Sequence, residues 1–145
     1  MFKHILLPTD GSALSEAAIH QGIEFAKSVN AKVTGFYAMP EFHIFTYRSD
    51  MLEDTKNEFM KDSKAHADKY LAAIKSAAKH AGVPCEIVCV SSDHPYEAII
   101  QTASDKGCDL IVMASHGRRG VRGLLLGSET HKVLTHAKLP VLVLG

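Results

Sequence analysis

From Leu110 to Ser128 the chain reads LIVMASHGRRGVRGLLLGS, a short apolar run followed by glycines at 117, 120, 123 and 127 and arginines at 118, 119 and 122. Each glycine removes a side chain from the loop, so its backbone amides can close on an anion without steric obstruction. Ser128 follows Gly127 where a helix N-cap would stand, and residues 129–136 have helical spacing. The first amides of that helix and the positive end of its dipole would then point into the loop, an arrangement that holds phosphate. Arg118, Arg119 and Arg122 read equally well as phosphate contacts or as a solvated loop face. No second histidine, cysteine or carboxylate stands at ligand spacing beside His116, so it is expected to order the loop by a hydrogen bond and to have no catalytic role.

Such a loop needs a rigid scaffold. The run 110–113 is continuous, apolar and bounded by turn formers, as a strand buried on both faces reads. Residues 4–7 read the same way, with PTDGS as the turn that ends them and Ser12 as the cap of the next element. Over 13–30, Ala18, Ile19, Gly22, Ile23, Ala26 and Val29 form one helical stripe that Asn30 ends. Residues 32–39 form the second strand, and 40–48 a loop with Phe42, Phe45 and Tyr47. Residues 51–81 form the longest helix, with Phe59, Tyr70, Leu71 and Ile74 at helical intervals and Gly82 and Pro84 as its stop. A third strand over 85–90, a helix from Pro95 to Gly107 carrying Ile99, Ile100 and Ala103, and a last strand over 139–144 complete the pattern.

Five strands alternating with four helices predict a parallel α/β sandwich, because parallel neighbours need crossovers and right-handed crossovers place helices on both faces. Ligands in such sheets bind beyond the carboxyl ends of the strands, where the winding reverses. If the first and fourth strands are neighbours there, the turn 8–12 faces the loop 114–128 across one crevice and Asp10 meets the glycine-rich segment. Asp10 also reads as a helix cap, and the two roles are compatible. Pro140 lacks an amide donor and suits a sheet edge or a strand's first residue; the unpaired backbone groups of an edge strand around 141–144 are expected to pair antiparallel with their copy in a homodimer.

The 145 residues are the usual size of one domain, expected to span 1–145, and 46% hydrophobic residues suffice for one core. Lys plus Arg and Asp plus Glu balance at 16 each, which argues against a global field for nucleic acid or an anionic membrane. Apolar runs are only a few residues long, so membrane insertion and export are not expected and a cytoplasmic location is. Cys85, Cys89 and Cys108 form no CxxC pair and are expected to be reduced core thiols. Neither GxxxxGK[ST], GxSxG nor GxGxxG is present, which leaves the common phosphate-loop, hydrolase and dinucleotide readings without a fingerprint.

PTDGS after the first strand, MASHG after the fourth, nine residues, then GS, and a terminal PVLVL together resemble the universal stress protein family, over the whole length and in element order. The spaced glycine pair with its following serine resembles the ATP-binding branch. The resemblance implies a Rossmann-like, adenine nucleotide alpha hydrolase-like three-layer fold with a five-stranded parallel sheet in order 3-2-1-4-5, and a nucleotide over the ends of strands one and four. It implies that Pro8, Thr9 and Asp10 lie beside the adenosine, with Ala38 at the adenine wall. Met113, Ala114 and Gly117 would line the ribose and phosphate turn, and Gly127, Ser128, Glu129 and Thr130 would supply amides and hydroxyls to the phosphates. The family motif usually begins with glycine where this chain has Ala114. A positive φ there would cost the methyl about 1 kcal/mol, whereas a negative φ makes it harmless.

The function expected is ATP binding, or that of ADP or AMP, with Mg²⁺ bridging the phosphates and the nucleotide acting as a conformational or assembly ligand toward a regulatory protein partner. Two rivals stand beside it: a nucleotide-free dimeric interaction module, and a slow ATPase, for which no water-activating residue stands out.

Overall fold

The computed structural model describes residues 1–43, 49–117 and 126–145. Arg118, Arg119, Arg122, Phe45 and Tyr47 therefore lie outside the described residues. The chain alternates β1 (His4–Thr9), α1 (Ala13–Val29), β2 (Lys32–Met39), α2 (Ser49–Ala81), β3 (Cys85–Ser91), α3 (Pro95–Lys106), β4 (Leu110–Ala114), α4 (Ser128–His136) and β5 (Val141–Leu144). All strand pairs are parallel, and the sheet runs β3-β2-β1-β4-β5, the expected order.

Strand alternation divides the apolar side chains between two cores. Ile5, Leu7, Val33, Leu110 and Val112 face one side, where α1 contributes Ile19, Ile23 and Ala26 and α2 contributes Ala67, Leu71, Ile74 and Ala78. Leu6, Phe36, Ile111 and Met113 face the other, against Ile99 and Ala103 of α3 and Val133 of α4. This gives the three layers that a buried parallel sheet requires. Close approach is secured by small residues: a Cβ at Gly35 would stand 2.9 Å from Ile74, and one at Gly22 would stand 2.6 Å from Leu7. Ser12 caps α1 through its side chain, and Asn30, left-handed at φ 58°, closes that helix, as the sequence predicts.

Three local expectations need correction. The first strand continues through Pro8 and Thr9, where the sequence predicts a turn. It stays paired with β2 as far as Thr9 opposite Tyr37, but with β4 only from Ile5 opposite Leu110 to Leu6 opposite Ile111. Beyond Leu6 the two central strands part, so the amide that Pro8 lacks is not missed on that side. The last strand begins at Val141, with Pro140 just before it giving its carbonyl to the Ile111 amide. Cys89 is exposed, against the expectation of a core thiol, because β3 is an edge strand; Cys85 and Cys108 are half-buried, and all three are free thiols.

The amino ends of the strands are closed by a polar network. Asp109 accepts from the amides of Lys3 (2.9 Å) and His4 (3.1 Å). Burial opposes its ionisation, yet these amides hold its carboxyl below the usual range. The His4 ring, 5% exposed, lies 2.6 Å from the Thr34 hydroxyl, which donates to Glu86 at 3.1 Å. Burial first, then the Lys32 charge, lowers the His4 pKa, against the pull of Glu86. None of the described helices is long and apolar enough to cross a membrane.

Candidate functional site

Where β1 and β4 diverge, a cavity of about 440 Å³ opens at the carboxyl end of the sheet, within the size range of small-molecule sites. All eleven residues singled out in the sequence line it: Pro8, Thr9, Asp10, Ala38, Met113, Ala114, Gly117, Gly127, Ser128, Glu129 and Thr130. Strand β1 and the turn after it supply the first three, β2 supplies Ala38, β4 supplies Met113 and Ala114, the loop after β4 supplies Gly117, and the cap and first turn of α4 supply the last four.

The β1–α1 turn is fixed by short-range bonds. Thr9 Oγ1 accepts from the Gly11 amide (3.0 Å) and meets Ser15 Oγ (2.8 Å). Asp10 Oδ1 accepts from the Ser12 amide at 2.9 Å, so Asp10 shapes the turn before the helix while Ser12 itself is the cap. Gly11 has φ +81°, and any Cβ there would overlap the Tyr70 ring of α2. Across the crevice, a Cβ at Gly117 would collide with Asp10 Oδ2. The glycine of one loop is therefore what lets the carboxylate of the other approach.

The second wall rests on backbone packed against backbone. The Gly127 amide donates to the Ser115 carbonyl at 2.6 Å, and a Cβ at Gly127 would stand 3.2 Å from His116 Cα and 3.3 Å from that carbonyl. Gly127, at φ −69° and ψ 161°, is the N-cap of α4, and Ser128 is the helix's first residue. The expectation that Ser128 caps fails because the bond to Ser115 pins Gly127 in the extended cap conformation. The first helical bond then runs from the His131 amide to the Gly127 carbonyl. Amides 128–130 have no acceptor within the helix, and the positive dipole end opens here. Thr130 is buried, and its hydroxyl donates to the Ala114 carbonyl at 2.8 Å, tying α4 to the end of β4. Glu129 turns its carboxylate to the Tyr96 amide (3.0 Å) and to Lys132 (3.5 Å), which offsets its charge beside an anion-favouring helix end.

Among the described residues, Asn30 is the only non-glycine with positive φ, so Ala114 carries its methyl without strain. His116 Nδ1 lies 3.0 Å from Ser115 Oγ, a loop-ordering contact of the expected kind. Phe42 packs on Phe59 with ring centroids 5.4 Å apart. Sequence reasoning missed part of the lining: Ser15, Phe36, Tyr37, Pro40, Ser92, Asp93, Pro95 and Ile99. The Asp-His-Pro turn before α3 was the available signal for the far wall, since the end of β3 must lie on the same side of a parallel sheet as the ends of β1 and β4.

Comparison with known proteins agrees with this fold. The family model described as the universal stress protein family matches residues 1–145. The universal stress protein MJ0531 of Methanocaldococcus jannaschii is 31% identical over 143 residues, which cover 99% of this chain and 82% of that protein. The solved structure of MJ0577, from the same organism, superposes with a TM-score of 0.84 at 30% identity, covering 99% of this chain and 96% of the other. A universal stress protein solved in complex with cAMP superposes at 0.73 with 27% identity, covering 99% and 97%. Sequence, fold order and cleft together lead to one conclusion: the chain belongs to the universal stress protein family.

Proposed function

We propose that this protein binds an adenine nucleotide, ATP in the first place and ADP or AMP in the same cleft, as a conformational or assembly ligand in a cytoplasmic stress-response or regulatory role. The observation that carries this reading is the convergence of the α4 amides, the side-chain-free approach at Gly117 and Gly127, and Asp10 on one cavity of about 440 Å³. That the cAMP-bound relative shares this fold supports an adenine-based ligand. The fit is chemical as well as steric. A helix start and bare loop amides suit phosphate oxygens, Asp10 suits a ribose hydroxyl, and Ala38 with the apolar Ile99 suits a flat base.

A bound triphosphate would bring negative charge that Mg²⁺ would help neutralise. The protein's own part is to orient it, with Thr130 and Gly127 holding the loop to the helix start and Asp10 fixing the opposite lip. Because β5 is a sheet edge, antiparallel pairing with a second copy is the proposed dimer contact, and the bound nucleotide would bias what a protein partner meets beside the cleft. The test is to denature purified protein and identify any small molecule released by absorbance and mass. Adenine nucleotide approaching one per chain is expected. A folded protein that releases none, and takes up none from millimolar ATP, would leave the nucleotide-free interaction module in its place. Sustained phosphate release, proportional to protein and abolished by Asp10→Ala, would instead support the ATPase reading.

A further inference from the structure

Beside the cavity, which Asp93 also lines, three side chains with metal-ligand chemistry meet. Glu41 and His43 follow β2 and Asp93 follows β3, and one ligand atom from each lies within 4.8 Å of the other two. No other such group occurs among the described residues. The cluster is organised by the fold. The Ser92 amide donates to the Met39 carbonyl at 2.8 Å, which carries the β2–β3 ladder up to the point where the two loops leave the sheet. Asp93 Oδ1 then accepts from the Glu41 amide at 3.0 Å, which leaves Oδ2 to meet the Nε2 of His43. The Glu41 amide thus aims the Asp93 carboxylate, as outer-shell bonds orient metal ligands, and the imidazole already stands beside it.

We propose that Glu41, His43 and Asp93 form a Zn²⁺ site on the rim of the cleft. Imidazole nitrogen favours zinc and its neighbours over magnesium or calcium, and two carboxylates with a neutral imidazole balance the charge of a divalent ion. Bonds of about 2.0–2.2 Å in tetrahedral geometry set neighbouring donors roughly 3.4 Å apart. Atoms already within 4.8 Å of one another stand close to that spacing, and the ion would replace the direct contact of His43 with Asp93. Three protein ligands would leave a fourth position open, and Asp93 and Pro40, which also line the cavity, put the site next to the cleft. The ion would clasp the β2–α2 and β3–α3 loops together at the mouth. The alternative is a plain surface His–Asp hydrogen bond.

The full-length protein, stripped with chelator and kept free of nucleotide, should be titrated with ZnCl₂ by calorimetry and against a zinc-indicator dye, so that the outcome does not depend on the proposed nucleotide. One Zn²⁺ per chain at a dissociation constant of about 10 µM or tighter is expected, undisturbed by millimolar Mg²⁺. His43→Gln and Asp93→Asn should each weaken it more than about tenfold, while His20→Gln, on the exposed face of α1, should leave it unchanged. All three replacements fall on exposed residues, and circular dichroism verifies their fold. Absence of a stoichiometric site at 100 µM zinc (about tenfold above the expected constant), or equal affinity in wild type, His43→Gln and Asp93→Asn, would overturn the proposal.

Discussion

Replacing Gly117 with alanine tests how the two loops of the cleft meet. The added methyl would fall on Asp10 Oδ2 and stand 3.2 Å from its carboxyl carbon. Gly117 is not among the glycines with positive φ, so the substitution carries no backbone penalty and its effect reports the collision alone. Asp10 can yield only by turning away, which breaks its 2.9 Å bond from the Ser12 amide. A hydrogen bond to a charged acceptor at a half-buried site contributes about 1–2 kcal/mol, so the melting temperature should fall by roughly 2–8 °C for a chain of this size. If Asp10 also contacts the ligand, nucleotide affinity should fall about 10- to 100-fold. The decisive assay is a double-mutant cycle read by thermal denaturation and ATP titration. In an Asp10→Ala background the methyl has nothing to strike, so Gly117→Ala should add little to either loss. Full additivity, or a Gly117→Ala protein as stable and as tight-binding as wild type, would refute this account of the crevice.

Gly127→Val should damage the second wall more severely, since its side chain meets backbone at His116 and Ser115, which cannot rotate aside. Calorimetry should show ATP affinity down more than about tenfold, with a stability loss of about 1–3 kcal/mol by denaturant titration. His4 gives a pH signature. Its folded pKa lies below the ordinary 6.5, so its contribution to stability is complete above that value and is lost as pH falls through the folded pKa. Wild type should therefore lose more stability than His4→Gln between about pH 7.5 and 5.5 in urea titrations, and equal slopes would exclude His4 as the cause. Burial pushes the Cys108 thiol up to about 11, which leaves roughly a thousandth of it as thiolate at about pH 8. A thiol reagent should accordingly label exposed Cys89 first and reach Cys108 last, as peptide mass mapping over time would show.

Element types and order were legible because each signal is local: apolar runs for the central strands, stripes of small residues for α1, and Gly82 and Asn30 as stops. The cleft was legible where loop chemistry is written in consecutive residues, as in PTDGS and the glycine spacing before α4. Features set by tertiary pairing were not. Ser128 looks like a cap in sequence, but the bond from Gly127 to Ser115 moves the cap back by one residue, and sequence holds no trace of that partner. Pro8 reads as a turn former, yet it continues β1 because β4 has already turned away on that side. Cys89 sits in an apolar run like any core strand and is exposed only because β3 lies at the sheet edge. Asp93 stands some 50 residues from Glu41 and His43 and joins them only through the β2–β3 ladder. Tyr70 under Gly11 depends likewise on how α2 crosses the sheet.

If amides at the start of α4 hold a triphosphate across the crevice from Asp10, isothermal titration of nucleotide-stripped protein with ATP and Mg²⁺ should show one saturable site per chain with submillimolar affinity, in competition with ADP and AMP. A folded protein that binds no ATP at millimolar concentration would contradict this reading.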